Sequence, residues 1–373
     1  MKEELGIYIH IPFCKQKCYY CDFISFSQKE EKVNEYVEAL KKEIISNKDK
    51  AKDYKVTTIY IGGGTPSYIN SKNIISVLET LKENYPVEKD AEVTIEINPG
   101  TVTKEKLEDY KKAGVNRISI GLQSANNKLL KEIGRIHTYE EFLEAYRLSR
   151  KVGFNNINVD LMLALPNQTE DILEESLKNV INLKPEHISI YSLILEEGTV
   201  LEQQISQGKY ELPDEETERN MYWKTKKILE ENGYLHYEIS NFTKPKKESK
   251  HNLNCWNQKQ YLGFGLAAHS YYNKVRYSNT QDLKQYLEEH TKTIHETQNK
   301  EDEQKEYMLL GLRKIQGVSI SEFKAKFVQN PIYIFRKELD KLVREELIEI
   351  DIDNIKLTDR GLDLANQVWE EFV

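Results

Sequence analysis

The stretch from His10 to Phe23, HIPFCKQKCYYCDF, constrains this chain more than any other. Three of its four cysteines, Cys14, Cys18 and Cys21, fall there. The spacing C-x3-C-x2-C lets three sulfurs converge on one centre from a single loop. No second CxxC or HxxxH supplies an obvious fourth ligand, so the set is one short of a closed tetrahedral zinc site. Cysteine thiolates also hold iron–sulfur clusters, and four irons on three cysteines leave one iron open to an outside ligand. The competing readings are a disulfide with one free thiol, a zinc site completed by His10 or Cys255, and three small buried side chains. Tyr19, Tyr20 and the adjacent lysines put the cysteines on a polar loop, which disfavours burial as small hydrophobes. A four-iron cluster is the reading the spacing favours.

Composition narrows the setting. A chain of 373 residues holds two or three domains and ample core. With 61 acidic and 53 basic residues the net charge is -8, which gives no global attraction to nucleic acid or to an anionic membrane. The segment MKEELGIYIHIPF is acidic where a signal peptide is basic. Mean hydropathy is -0.66, and no apolar run is long enough to span a bilayer. Four cysteines in this length make no disulfide framework. A soluble, cytoplasmic protein with reduced thiols is the expectation.

The first two thirds alternate short apolar runs with helical stretches. The runs Gly6 to Pro12, Thr57 to Ile61, Glu92 to Ile97, Arg117 to Gly121, Asn156 to Leu163 and His187 to Leu195 are rich in Ile, Val and Tyr, as strands are. Between them, Ser27 with Glu30 and Thr138 with Glu141 have capping-box spacing, while Gly114 and Gly153 fall where helices stop. Over Thr169 to Leu183, Ile172, Leu173, Leu177, Val180 and Ile181 share one helical face. Strand–helix–strand repetition predicts an α/β fold on a parallel sheet.

Such sheets carry their chemistry at the carboxyl ends of the strands, and those ends are polar here. They hold Gly62, Gly63, Gly64 and Thr65; Glu96 and Asn98; Gln123 and Ser124; Asp160; and Tyr191 with Ser192. GGGTP is neither a dinucleotide fingerprint nor a P-loop, and glycines there also suit tight strand–helix packing. Asp160, between Val159 and Leu161, is costly to bury without a partner. It either binds a ligand or pairs with Arg135 or Arg117. Arg135 either forks onto a carboxylate-bearing ligand or bridges helix and sheet.

Beyond Gly198 a helix is predicted from Asp214 to Asn232 and a strand from Tyr234 to Phe242. Asn241 to Gln260 then holds five lysines against one glutamate, either a solvated loop or a site for acidic groups beside His251, Cys255 and Trp256. If helical, positions 251 and 255 share a face, and both residue types ligate haem iron elsewhere. Three domains are expected: 1–200, a sheet of βα units; 201–280, its extension; and 281–373, a small α+β tail. In the tail, helices at Glu303 to Gln316, Ser319 to Phe327 and Pro331 to Arg344 precede a hairpin at Leu347 to Thr358 and a helix at Gly361 to Phe372. That is a winged-helix pattern. From Glu301 onward 16 acidic residues outnumber 11 basic ones, which argues against duplex binding.

The cysteine loop, with Tyr20 before its last Cys, resembles the radical S-adenosylmethionine (SAM) superfamily. YIHIPFC, CYYCDF, IGGGTPS, IEINP, GLQS, GRIH, VDLMLALP, HN-x3-W and YLGFG-x-AAHS resemble, in order, the oxygen-independent coproporphyrinogen III oxidase family, and most closely its HemW-type haem chaperone branch. The resemblance implies a partial (β/α)6 barrel with a winged-helix-like tail. It implies a [4Fe–4S] cluster on Cys14, Cys18 and Cys21, with SAM on the open iron. It assigns Tyr8, Tyr20, Gly63, Gly64, Thr65, Glu96, Gln123, Arg135 and Asp160 to the SAM site, Asp160 and Gln123 to ribose hydroxyls and Arg135 to the carboxylate. Phe23 stands where the coproporphyrinogen dehydrogenases carry a further Cys, and strand one starts at residue 6 without a preceding arm. Both features imply the chaperone branch, with His251 as haem ligand and haem passed to an acceptor protein. Cys255 replaces the branch's tyrosine and adds a second candidate ligand. The alternatives are a dehydrogenase that uses a SAM-derived radical on porphyrinogen propionates, and a winged-helix nucleic-acid binder with a structural metal.

Overall fold

A computed structural model describes residues 2–289 and 291–373. Its main sheet has twelve strands: β1 Glu3–Ile11, β2 Tyr54–Gly63, β3 Val87–Ile97, β4 Arg117–Gln123, β5 Ile157–Leu163, β6 His187–Ser192, β7 Leu235–Glu238, β8 Asn241–Thr243, β9 Tyr261–Phe264, β10 His269–Tyr272, β11 Val275–Asn279 and β12 Lys292–Thr297. The spatial order is β12-β11-β10-β9-β1-β2-β3-β4-β5-β6-β8-β7. The strands from β9 through β1 to β6 run parallel and those beyond are antiparallel. Each crossover from β1 to β6 steps to the next neighbour without reversing, which winds a barrel wall instead of a doubly wound sheet. The order keeps two free ends, so the barrel stays unclosed: a partial (β/α)6 barrel.

A period of two sorts the side chains of these strands. Ile7, Ile9 and Ile11, Ile59 and Ile61, Val93, Ile95 and Ile97, Ile118, Ile120 and Leu122, Ile157, Val159, Leu161 and Leu163, and Ile188 and Ile190 join one core with helix residues such as Leu40, Ile44, Leu78, Leu81, Leu107, Phe142 and Leu177. The alternate positions are polar: Tyr8 and His10, Thr58 and Tyr60, Thr94 and Glu96, Arg117 and Ser119, Asn158 and Asp160, His187 and Ser189. Barrels without an internal ligand fill this column with Val, Ile and Leu. Polar side chains throughout it mark an interior built around ligands.

The helix signals work mostly as read. Thr138 and Glu141 close a capping box on the helix Tyr139–Val152, which Gly153 ends in the left-handed region, and Thr169 caps Glu170–Leu183. The box expected at Ser27 and Glu30 does not form. Ser27 pairs with Cys14 in a short parallel bridge, Glu30 accepts the Tyr68 hydroxyl, and the helix Val33–Ser46 starts uncapped after a 3-10 turn. The single strand expected over 234–242 is a tight pair, β7 and β8, because Glu238 accepts from Ser240 N and Asn241 Nδ2 and turns the chain there.

The tail also begins later than expected, since β12 edges the main sheet. Helices Lys300–Gly311, Ile320–Phe327, Pro331–Ile334 and Arg336–Arg344 pack with a three-stranded sheet (Val318–Ser319, Ile348–Ile350, Asn354–Leu357) over a separate core that includes Phe323, Phe327, Leu339, Leu342 and Phe372. The closing helix is broken into Asp359–Asp363 and Ala365–Glu370. The first tail helix stops at Gly311 because 313–315 peels off to bond the barrel: Ile239 N donates to Arg313 O (3.1 Å) and Ile315 N to Tyr237 O (3.1 Å). There the Arg313 guanidinium lies between Trp256 (4.5 Å to the ring centroid) and Trp369 (4.7 Å). No helix among the described residues is long and apolar enough to cross a membrane.

Candidate cofactor site

The carboxyl ends of β2 to β6 and the cysteine loop enclose a cavity of about 370 Å³. Cys14, Cys18, Tyr20, Cys21, Gly63, Gly64, Thr65, Glu96, Gln123, Arg135 and Asp160 all line it. Residues drawn from six separate segments of the sequence thus meet at one place. Phe23 lies at the rim, 62 % exposed.

The three thiols are free. Cys14 is buried, and Cys18 and Cys21 are half-buried. Burial pushes the Cys14 thiol up and the Cys21 thiol to about 11, so both stay protonated until a metal displaces the protons. Cys14 fits because residue 64 is glycine: a Cβ there would stand 2.9 Å from Cys14 Sγ and 3.1 Å from Ile11 O and Phe13 N. Among the described residues no three His, Cys, Asp or Glu side chains converge on a point suited to a single ion. The fourth ligands considered for zinc are engaged elsewhere. His10 Nδ1 meets Tyr8 Oη (3.0 Å) and Nε2 meets Ile24 O (2.9 Å), while Cys255 sits in the helix Lys250–Trp256, near Tyr261 and Arg276. Three free thiols on one loop are the donor set that a four-iron cluster with one open iron would take.

The remainder of the cavity reads as a receptor for a zwitterionic, hydroxyl-bearing ligand. Glu96 accepts from Tyr60 Oη (2.9 Å) and Gly63 N (3.2 Å). Burial, with the nearby Asp160 charge, pushes its carboxyl up to about 7. Asp160 accepts from Ser119 Oγ (3.0 Å) and Asn158 Nδ2 (2.7 Å), and burial pushes it up as well. No ion pair joins Asp160 to Arg135 or Arg117 among the described residues, so its charge is held by neutral donors. Arg135 donates through NH2 to Gly121 O (2.8 Å) and Asn98 Oδ1 (2.7 Å), and through NH1 to Cys18 Sγ (3.4 Å). It therefore bridges its loop to the sheet and still faces the cavity. Its buried Nε has no acceptor, and the buried Gln123 Oε1 has no donor. Gln123 adopts φ +66° at a bulge between β4 and β5, a strained conformation for a side-chain-bearing residue. An orphan donor, an orphan acceptor and two half-buried carboxylates are the groups that the carboxylate, hydroxyls and ammonium of SAM would need.

Tyr8 is set one layer back, bonded to His10 and stacked on Tyr60 (6.4 Å between ring centroids). His251 is further away, at the amino-terminal end of the barrel. It is 7 % exposed, with Nδ1 2.9 Å from Thr58 Oγ1 and its ring against Tyr60 (5.3 Å). Burial and the Arg117 charge pull its pKa down to about 4. Cys255, one helical turn on, has its thiol pushed up to about 11 by burial. His251, Cys255 and Tyr8 do not line the cavity that joins the other candidates. Asn98, placed at a strand end but given no role from the sequence, and Ser119 and Tyr60, which the sequence reading did not single out, line the same cavity. The two-residue step from Gly62 back to Tyr60 and from Gly121 back to Ser119, on strands whose ends had been singled out, was the available signal.

A family model described as the Radical SAM superfamily matches residues 8–180, and one described as the HemN C-terminal domain matches residues 298–364. The chain is 37% identical over 376 residues to the heme chaperone HemW of Lactococcus lactis subsp. lactis, covering 100% of this chain and 98% of that one. It is likewise 37% identical to the heme chaperone HemW of Bacillus subtilis, over 98% of each chain. The solved structure of coproporphyrinogen III oxidase (HemN) from Escherichia coli, a radical SAM enzyme, superposes with a TM-score of 0.87 at 24% identity, over 100% of this chain and 90% of that one. That likeness establishes the fold. With its cysteine loop, barrel and tail matched from end to end, the chain belongs to the radical SAM superfamily and, within it, to the HemW heme chaperone family.

Proposed function

We propose that this protein is a haem chaperone: it holds a [4Fe–4S] cluster on Cys14, Cys18 and Cys21, takes SAM into the barrel cavity, binds haem, and passes it to an acceptor protein in the cytoplasm. The observation that carries this reading is the full-length similarity to heme chaperones, tail included. Within the cavity, Arg135 would take the methionyl carboxylate through its free Nε, Glu96 the ammonium, and Asp160 and Gln123 the ribose hydroxyls. When bound, the cluster and SAM supply one-electron chemistry at the sulfonium. The residues of this chain orient the ligand, keep its charges paired and exclude water.

His251 is the haem ligand this reading favours over Cys255. At neutral pH its imidazole is uncharged, and an Nδ1–H donated to Thr58 leaves the Nε2 lone pair for iron. A Cys255 thiol pushed to about 11 stays protonated and is a poor ligand. Reaching His251 requires the short helix Lys250–Trp256 to yield.

Titration of the purified protein with hemin tests the proposal. A Soret band is expected, weakened several-fold by His251→Ala and unchanged when the three cluster cysteines are replaced. Absence of haem binding at micromolar protein overturns it. Anaerobic conversion of coproporphyrinogen III to protoporphyrinogen would establish the dehydrogenase reading in its place.

A further inference from the structure

We propose that Asn98 is a positioning residue for the cluster: it holds Thr65 and Arg135 so that each donates a hydrogen bond to a cluster cysteine sulfur, and it thereby raises the cluster's reduction potential. The proposal rests on the reading that Cys14, Cys18 and Cys21 hold a [4Fe–4S] cluster.

The bonds form one connected path. Thr65 Oγ1 donates to Cys14 Sγ (3.5 Å), and Asn98 Nδ2 donates to Thr65 Oγ1 (2.9 Å). Asn98 Oδ1 accepts from Arg135 NH2 (2.7 Å), and Arg135 NH1 donates to Cys18 Sγ (3.4 Å). Two of the three sulfurs are therefore tied to one amide.

Donor chemistry fixes the direction of every bond. A guanidinium only donates, so the face of Asn98 towards Arg135 must be its carbonyl oxygen. The amide nitrogen then faces Thr65 and fills that oxygen's acceptor position. Thr65 has one proton, and it is left to point at Cys14. If the amide were reversed, its oxygen would take the Thr65 proton away from the sulfur, and its NH2 would confront the guanidinium.

The surroundings hold this arrangement in place. Asn98 N donates to Ser67 Oγ (3.1 Å), and Asn98 O accepts from Thr101 N (3.2 Å) and Thr101 Oγ1 (2.7 Å). Thr65 N donates to Phe13 O (2.9 Å). The amide packs against bare backbone, since a Cβ at Gly121 would stand 2.9 Å from Asn98 Oδ1 and 3.1 Å from Arg135 NH2. The hydroxyl of Ser25 also lies beside Cys14, so Thr65 shares that sulfur. Hydrogen bonds to cluster sulfurs stabilise the more negative, reduced state and raise the potential.

Asn98→Asp separates this role from a merely structural one. The aspartate keeps the shape and the bond to Arg135, but its second oxygen accepts from Thr65 and turns the hydroxyl proton away from Cys14. Thr65→Val deletes the same donor without adding charge, and Thr65→Ser restores it. The experiment reconstitutes full-length wild type, N98D, T65V, T65S and N98D/T65V anaerobically, measures iron and sulfide, and follows the reduced-cluster EPR signal in a dithionite titration with mediators.

With clusters intact, N98D and T65V are each expected to lower the reduced-to-oxidised ratio at a fixed potential at least tenfold, about 59 mV for one electron. T65S should match wild type, and N98D should shift the potential less in the T65V background than alone. Unmoved potentials, or strictly additive shifts, overturn the proposal. If N98D fails to load, T65V against T65S decides it. A wild-type chain that assembles no cluster overturns the underlying cluster reading instead.

Discussion

Glu96 offers the most direct test of the barrel's electrostatics. Its carboxyl is buried among Tyr60, Gly63 and the Asp160 charge and titrates at about 7 in place of its ordinary 4.5. That difference makes ionisation inside the barrel cost about 3 kcal/mol more than in water. A carboxyl raised in this way holds its proton more tightly folded than unfolded. Its stabilising contribution is complete below 4.5 and is lost as pH rises through 7. Between about pH 5 and about pH 8 the loss amounts to roughly 2.5 kcal/mol. Glu96→Gln keeps the shape and can still accept from Tyr60, but it does not titrate. Urea unfolding of the metal-free protein, followed by circular dichroism across that pH range, should show wild type losing this amount relative to the variant. Parallel pH profiles for the two proteins would refute the reasoning. On the proposed placement of SAM the sign reverses, because its ammonium beside Glu96 would favour the carboxylate, and affinity should climb with pH through the same window in wild type only.

Two further outcomes follow from packing. Gly64→Ala forces a Cβ against Cys14 Sγ and two backbone atoms of 11–13 that cannot move aside cheaply, an overpacking cost of about 1–3 kcal/mol. Iron and sulfide per chain after reconstitution should fall well below wild type, and full loading would contradict the close approach. Arg313→Ala removes the cation between Trp256 and Trp369, a loss of about 2 kcal/mol for two desolvated cation–π contacts. Limited proteolysis near residue 298 should then accelerate severalfold, and an unchanged rate would place the tail's attachment elsewhere.

Much of this organisation was legible in the residues. The βα alternation, the helix from 170 to 183 and the box at Thr138 follow from local pattern, and local pattern survived folding. That Cys14, Cys18 and Cys21 come together at one cavity was legible because all three sit in one loop. Other features depend on groups distant in sequence. Ser27 reads as a cap until its pairing with Cys14 is known, and the 234–242 run reads as one strand until Glu238 turns it. Asn98 looks like a strand terminator until Thr65 and Arg135 arrive from 33 and 37 residues away. His251 reads as part of a lysine-rich segment, either a solvated loop or a site, yet tertiary packing sets its ring against Tyr60 and buries it.

The tryptophan–arginine–tryptophan stack between barrel and tail bears on whether the two are parts or one object. The tail has its own hydrophobic core and would pass for an independent unit. Yet Arg313 also neighbours the buried Glu238 carboxyl, which is raised to about 7, and Trp256 ends the same short helix that begins beside His251. Cutting the chain ahead of residue 300 would strip a buried acid of its counter-charge and bare an indole on the barrel. Neither fragment would be a smaller version of this protein: a side chain of the tail completes the electrostatics and the aromatic packing of the barrel.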